Sequence, residues 1–578
     1  MKIREVKINN FRLLNSVNVK FGDSNYFVGK NNIGKTSMLH FMNTLFSRNS
    51  FGVNDFFDIS KPINAKLTLE ISNDEIGIFD DIFSPKDKNT IKLDILQESP
   101  DDDLYVCEEY TGNNIRNSKL HLANFIYYSS NVKPVGDRDI TSQRGAYKLI
   151  PELVEKYAIT NNKNKFTTPE EIDDVLFFIN KIMNNLGTFG DANLNVAFEK
   201  NFQDFIMNSI VIKDNNGNLF NKLGYGIQFA NIIILKIFDQ IINWKNNRSL
   251  AKRIIIKEDG SKELKIILAL DEPEIHLHPN MQLQIIKYVK NILNGTDEGF
   301  NYVLKKIFDI DCIKGQLFVV THSPEIVTTN YQEICRFYTN KEKIHIKSGM
   351  DIVLDKTDSK QFERKFPNIS KAFFADGVLI VEGDTEENAI VEFANKLNRN
   401  LVDNNINVVR ADGVKSVAPL YELLEKLDIK VVGIIDKDNG NHKDILKNHP
   451  KIYSTKQADF EYECWEVMSL SDINNYVFNY NEIDSGMEDG TKKYLAFWIK
   501  HITRNKERYT SLLKEKKYEE LYSEIETLIT SDFNKDDIKE DIIKMLKQKS
   551  IINGKIIAES MTAIPEVYKN AIEVITNE

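Results

Sequence analysis

The nine residues "GKNNIGKTS" (29–37) constrain the fold of this chain more than any other stretch. They fit G-x-x-x-x-G-K-[ST], with Gly29, Gly34, Lys35 and Thr36 at the fixed positions. The strand-like "NYFV" precedes them and the helical pattern "MLHFMNTLF" follows, which is the context that gives such a match its meaning. The glycines let backbone N–H groups turn inward around phosphate oxygens, and Asn31 and Ser37 stand in the same loop. Lys35 supplies a point charge to the outer phosphates and Thr36 a hydroxyl to Mg²⁺. The helix N-terminus adds its partial positive charge. A loop of this kind needs a buried strand before it and a helix after it, so it commits this part of the chain to an α/β layer. The surrounding pattern agrees. Strand signals recur at "KIREVKINNF", "AKLTLEIS", "NFIYYSS", "KIILALDEP" and "QLFVVTHSP", and a helix follows the glycines of "GIQFANIIILKIFDQIINW".

Two of those strands end in chemistry. "KIILALDEPEIHLHP" runs apolar residues into Asp271, suited to order a magnesium shell, and Glu272, suited to polarise a water for attack on a γ-phosphate. "LFVVTHSPE" ends at His322, placed to sense that phosphate. His276 and His278 alternate as zinc ligands do, but they directly follow the two acids and read as packing or subunit contacts. The order of these pieces resembles ABC-type ATPases of the branch that includes the SMC, Rad50 and RecF proteins. The resemblance implies ATP with one magnesium ion, and a Gly-rich signature of one subunit closing over the nucleotide of another. "LGYGIQFAN", with Gly224, Gly226 and Gln228, stands where that signature belongs but departs from its Leu-Ser-Gly-Gly-Gln form. A homodimer or tetramer is implied. The long coiled coil and CxxC hook of Rad50-type proteins are missing.

A second set of acids lies downstream. In "LIVEGDTEEN" (379–388) a strand over Val378–Val381 leads to Glu382, Gly383 permits the turn, and Glu386 falls in the first helical turn, close to Glu382. The strand of "KVVGIIDKDNG" ends with Asp436 and Asp438, two residues apart and so on one face. Two carboxylates about 4 Å apart repel by roughly 4 kcal/mol at an effective dielectric near 20. Gathering four makes sense if a cation is shared or some hold protons, and oxygen-only ligands favour Mg²⁺ or Mn²⁺. Taken singly, Asp384 and Glu387 read as cap or loop carboxylates.

A chain of 578 residues is too long for one core. We expect an ATPase domain over 1–345 with a mostly helical insertion at about 145–215, where "GAYKLIPELVEKYA" and "NFQDFIMNSIVI" stand. A linker follows at 346–377, then a second α/β domain at 378–470 and a helical part at 471–578, broken by a short strand-like "NGKIIAES". The four cysteines form no CxxC pair, which suits a reducing cytoplasm. The N-terminus lacks the apolar region of a signal peptide. The longest apolar run is broken by Lys236 and Asp239, so no membrane contact is expected. The net charge of −10 disfavours nucleic acid on its face, but acids at metal sites count toward it while local basic faces bind. "KHITRNKERYTSLLKEKKY" (500–518) is such a face; its bland reading is a solvated helix surface.

Strand-Glu-Gly followed by strand-Asp-x-Asp, with the Gly413 turn of "VVRADGVKSV" between, resembles the Toprim domain of topoisomerases, primases and related nucleases. The ABC-then-Toprim order is similar to the overcoming-lysogenization-defect (OLD) nuclease family, including the nuclease subunit of the Gabija system and retron-associated relatives. The resemblance implies an ABC-type domain with a helical dimerisation insertion, then a Rossmann-like Toprim domain and a helical C-terminal region. It implies ATP-regulated, metal-dependent hydrolysis of double-stranded DNA in anti-phage defence. Glu382, Glu386, Asp436 and Asp438 would bind one Mg²⁺ or Mn²⁺, and Glu461 of "ADFEYE", with Asp459, a second. Lys555 would steady the pentavalent phosphate. A UvrD-like helicase, or a reverse transcriptase with its msDNA, is a partner of such proteins. The expectation is that ATP holds the nuclease quiet. Two other readings stand beside it. One is a non-cutting ATPase that clamps DNA or a partner protein; the other, topoisomerase-like strand passage, lacks a recognisable nucleophilic tyrosine.

Overall fold

Alternation in "INAKLTLE" and "TIKLDILQ", and in "KIREVKIN" past an irregularity at Ile3–Glu5, puts one face of each segment in the core and the other in water, as half-buried antiparallel strands require. The computed structural model describes every residue except 76–88, 130–148, 162–168, 186–194, 199–209, 214–215, 218–223, 276, 328–329, 355, 438–441, 503–504, 549–550 and 578. The chain divides into two units, Met1–Val353 and Leu354–Glu578.

In the first unit come β1 (Lys2–Asn9), β2 (Val17–Lys20), β3 (Ser24–Val28), α1 (Lys35–Ser47), β4 (Ile63–Glu70), β5 (Thr90–Gln97), β6 (Tyr105–Glu108) and β7 (Phe125–Ser129). Helices α2 (Leu149–Thr160) and α3 (Pro169–Met183), strands β8 (Asn195–Phe198) and β9 (Ile210–Lys213), and α4 (Tyr225–Asn246) follow. The unit ends with β10 (Ile254–Ile256), β11 (Lys262–Asp271), α5 (Pro279–Leu293), α6 (Glu298–Phe308), β12 (Cys312–Val320), β13 (Ile334–Asn340) and β14 (Lys343–Ser348). One sheet is antiparallel, in the order β2-β1-β4-β5-β6; the other runs β10-β11-β12-β3-β13-β14, with β7 also on β11. Strands β7, β11, β12, β3 and β13 are mutually parallel, so their C-terminal ends share one edge. The insertion is less helical than expected. "NVAF" and "IVIK" pair antiparallel from Asn195↔Lys213 to Phe198↔Ile210, the β-branched residues favouring strand over a helix that short.

The second unit holds α7 (Lys356–Ile369), β15 (Gly377–Val381), α8 (Asp384–Lys396), β16 (Ile406–Arg410), α9 (Val414–Lys426), β17 (Lys430–Ile435) and β18 (Ile452–Ser454). The strands form a parallel sheet, β16-β15-β17-β18. "GVLIV" is buried at every position, as a strand covered on both faces must be. Among the described residues eight helices follow β18: α10 (Phe460–Val467), α11 (Leu470–Ser485), α12 (Met487–His501), α13 (Lys506–Lys514), α14 (Tyr518–Asp532), α15 (Lys539–Leu546), α16 (Ile551–Ser560) and α17 (Glu566–Thr576). Leu379, Val381 and Val432 of the sheet share one core with Trp465, Trp498 and Tyr568 of the helices. The stretch 346–377, expected as a linker, holds the end of β14, α7 and a short helical turn, and the two units divide within it.

"NGKIIAES" is a helix, not a strand. Ile556, Ile557 and Ala558 are buried, and the amide of Asn553 donates to the carbonyls of Leu546 at 2.8 Å and Gln548 at 2.9 Å. Gly554 lies against α8 so closely that a Cβ there would stand 2.0 Å from the carbonyl oxygen of Thr385. Packing overrides the strand preference of the isoleucines. Gly554→Ala is therefore expected to destabilise the second unit by roughly 1–3 kcal/mol, the usual cost of forcing atoms into a filled space. Hydrogen exchange should show faster opening at 384–396 and 551–560, and unchanged protection there would contradict this packing.

Candidate functional site

Loops after the parallel strand ends of the first unit are tied together by named bonds. Gly29 has φ +130°, and a Cβ on it would lie 2.2 Å from the carbonyl oxygen of Phe337, so the loop passes where only glycine fits. Gly34, at φ +87°, starts α1. The buried ammonium of Lys35 donates to the carbonyls of Gly29, at 2.8 Å, and Lys30. Burial lowers its pKa to about 8, against the pull of Glu272, Asp271 and Glu274. Asn31 is exposed and Ser37 half-buried in the first turn. Asp271 accepts one hydroxyl on each oxygen, from Thr36 at 3.1 Å and Tyr127 at 2.9 Å, and burial pushes its carboxyl up.

Glu272 takes a left-handed backbone, φ +51°, a strained conformation for its residue type. Its Oε1 stands 3.3 Å from Nε2 of His322. Burial, then the charge of Lys35, holds His322 below the usual imidazole range. Glu274, which carries no sequence signal of its own beside Asp271 and Glu272, bridges the two strand ends. Its Oε1 accepts from the Thr321 hydroxyl at 2.9 Å and the His322 N–H at 2.6 Å. Gly224 and Gly226 open α4, and Gln228 is buried. His278 is exposed and caps α5, while His276 lies outside the described residues.

In the second unit Glu386 sits at the third position of α8 and reaches back. Its Oε2 accepts from the N–H groups of Glu382 and Gly383, both at 2.8 Å, and Oε1 accepts from the hydroxyl of Tyr568 at 2.7 Å. The first two bonds satisfy donors a helix start leaves open. Burial nevertheless pushes Glu386 up to about 7. The N–H of Asp436, just past β17, donates to Glu382 Oε2 at 3.1 Å. Burial, then the charges of Glu386, Glu382, Glu461 and Asp459, push Asp436 up to about 9. Its Oδ1 is buried and accepts no hydrogen bond. Burial pushes Glu461 up to about 7. Asp459 caps α10 by accepting from the Tyr462 N–H at 3.0 Å and pairs with the Lys547 ammonium at 2.6 Å.

Glu382, Glu386, Asp436, Asp459, Glu461 and Lys547 line one cavity of about 550 Å³. Asp438 lies outside the described residues. Lys555 is not on that cavity; it stands exposed on α16, 3.6 Å from Glu559. Lys547 was missed, because one lysine in "KMLKQKS" carries no signal. Asp384, read as a loop carboxylate, pairs with Arg410. On the candidate basic face, Lys500, Arg508 and Lys517 pair with Asp541, Glu524 and Glu515.

Among the described residues no three His, Cys, Asp or Glu side chains are already gathered as an ion's ligands. Glu386 is drawn to the backbone and Tyr568, and Asp459 to Lys547. The donor set still fits a hard divalent cation. It is all oxygen, and Asp436 Oδ1 is buried with nothing bound to it.

A family model described as an AAA ATPase domain matches residues 1–167 and 117–327, together more than half of the chain. A model for the Toprim domain of overcoming-lysogenization-defect-like proteins matches 373–438. The chain belongs to the AAA ATPase domain family and carries an OLD-like Toprim domain. It is 22% identical over 545 residues to an endonuclease GajA of Bacillus cereus (strain HuB5-5), covering 85% of this chain and 73% of that protein. A second endonuclease GajA, of Bacillus cereus (strain VD045), is 25% identical over 425 residues, covering 67% of this chain and 66% of its own length. The Old nuclease of Escherichia phage P2 is 23% identical over 313 residues, covering 51% and 47%. The OLD-like Toprim match takes in Glu382, Glu386 and the Asp436–Asp438 pair and stops short of Asp459, Glu461 and Lys547. The two domains imply use of a nucleotide and of a divalent metal. Among the described residues no helix is long and apolar enough to cross a membrane.

Carboxyls whose pKa values rise on folding bind more protons folded than unfolded, so their stabilisation is full below the ordinary carboxylate range and is lost as pH rises. For Glu386 and Glu461 the loss runs from the ordinary carboxylate range and is complete past about 7, and for Asp436 it continues to about 9. In EDTA the Tm of the OLD-like Toprim unit is therefore expected to fall between pH 6 and pH 9. Mg²⁺ or Mn²⁺ should restore it most at the alkaline end, and Asp436→Asn should flatten the profile. A melting series in which wild type and Asp436→Asn shift alike with pH would contradict the clustering.

Proposed function

We propose that this chain is an ATP-regulated, divalent-metal-dependent DNA endonuclease acting in defence against phage. The observation that carries the reading is the convergence of seven carboxylates, Glu382, Glu386, Asp436, Asp459 and Glu461 among them, on one cavity at the C-terminal edge of a parallel sheet, in a chain whose relatives include named endonucleases. Glu382, Asp436 and Asp438, with Glu386 behind them, would hold one ion, and Glu461 with Asp459 a second, as Mg²⁺ or Mn²⁺. Such ions, when bound, supply an activated water and positive charge opposite the leaving oxygen.

The chain's own residues do the rest. Glu386 fixes the turn after β15 and so aims Glu382 at Asp436. Lys547 is the ammonium already on the cavity, placed to meet an incoming phosphate. Lys555, on the helix that follows, is the second lysine to test. In the first unit Gly29, Gly34, Lys35, Thr36 and Asp271 hold ATP and its magnesium ion, and Glu272 with His322 faces the γ-phosphate. Nucleotide regulates cutting by binding two states of the protein unequally, and ATP restrains it. The working form is a homodimer or tetramer in the cytoplasm, with Gly226 of the Gly224–Gln228 segment at the nucleotide. It works with a UvrD-like helicase, with a reverse transcriptase and its DNA, or with no partner.

Supercoiled plasmid should be nicked or linearised in Mg²⁺ or Mn²⁺ and stay intact in EDTA. Glu382→Ala and Asp436→Ala should abolish cutting, and raising ATP should slow the wild type. Alanine at Lys547 and at Lys555 separates the two lysines: the larger rate loss marks the one facing phosphate. If Glu382→Ala cuts as well as wild type, the cavity is not the nuclease site. Stable DNA binding with no product under any metal leaves only the clamp.

A further inference from the structure

Asp271 has a second partner that the phosphate-loop motif does not contain. Strand β7 runs parallel to β11 with Tyr127 opposite Ala269, two residues before Asp271. That register carries the Tyr127 hydroxyl to Oδ2 of Asp271 at 2.9 Å, while the Thr36 hydroxyl takes Oδ1 at 3.1 Å. The ring of Tyr127 rests beside that of His40 on α1, with centroids 5.5 Å apart. One phenol thus touches the strand that bears the carboxylate and the helix that follows the phosphate loop.

We propose that Tyr127 is a positioning residue for the metal-ordering carboxylate of the nucleotide site, an inference that rests on the reading of 29–37 and Asp271 as that site. A carboxylate held by a donor on each oxygen has one plane; held on one oxygen alone, it turns about its terminal bond. Thr36 is the donor that a magnesium-bound state calls away, because its hydroxyl is itself wanted by the ion. Tyr127 then remains as the donor that keeps Oδ2 in place and leaves Oδ1 directed at the metal position. A tyrosine hydroxyl keeps its proton near neutral pH and can go on donating. Outer partners of this kind set metal affinity rather than nucleotide affinity.

The test uses the full-length chain, a fluorescent mant-ATP probe and a magnesium titration. Tyr127→Phe removes one oxygen and keeps the ring beside His40. It is expected to bind mant-ATP in EDTA as wild type does, and to need about tenfold more Mg²⁺ for the magnesium-dependent tightening. An unchanged magnesium midpoint overturns the proposal. A loss of mant-ATP binding in EDTA overturns it too, since the tyrosine would then support the loop and not the carboxylate. Lys35→Ala separates this from the underlying reading. If that variant still binds mant-ATP with wild-type affinity, the phosphate loop itself is misassigned, whatever Tyr127 does.

Discussion

The second unit is organised around carboxylates that repel one another where partial burial limits their hydration. Seven acids, Asp384 and Asp412 among them, line one cavity with a single lysine among the described lining residues. Two charges at contact distance cost roughly 4 kcal/mol even at a moderate effective dielectric. The chain meets this cost with protons and donors. Asp436, Glu461 and Glu386 are pushed up into or beyond the neutral range, and Glu386 takes three hydrogen bonds. What remains unmet is Asp436 Oδ1, and a buried acceptor without a donor is a standing attraction for a cation.

The first unit handles its acids differently. Asp271 is also buried with a raised pKa, but each of its oxygens has a hydroxyl donor, and Lys35 is the nearby cation. Glu274 secures the backbone of His322, and His322 faces Glu272. Both sites nonetheless sit where parallel strands end. There the apolar strand fixes the backbone and the next residue or two emerge into a crevice. The strain at Glu272 is a consequence: a strand that must deliver Asp271 and then turn at once forces the following acid into a left-handed backbone.

Much of this was legible because the strand-then-acid pattern is local. The phosphate loop, the end of β11 and the ends of β15 and β17 each announce themselves within ten residues, and the core sheets followed. Glu382, Glu386, Asp436, Asp459 and Glu461 do face one cavity. What escaped was set by distant packing. "NVAF" and "IVIK" needed each other to become strands, and "NGKIIAES" became a helix because Gly554 and Asn553 meet groups remote in sequence. Tyr127 and Tyr568 gave no signal, since a tyrosine in an apolar segment reads as core until its hydroxyl finds a carboxylate.

The helices after residue 470 are part of the acid site and not an appendage to it. The Toprim match ends at 438, yet three contacts that shape the acidic turn come from beyond 540. Tyr568 holds Glu386, Lys547 pairs with Asp459, and Gly554 seats α16 against Thr385, one residue before Glu386. Asn553 in turn binds the carbonyls that end α15, so the position of Lys547 at that helix end depends on the same joint. A four-stranded sheet with its acids is written between Gly377 and Glu461. Holding those acids still takes a second layer of helices whose anchoring groups, one glycine, one asparagine and one buried phenol, act only through what they touch.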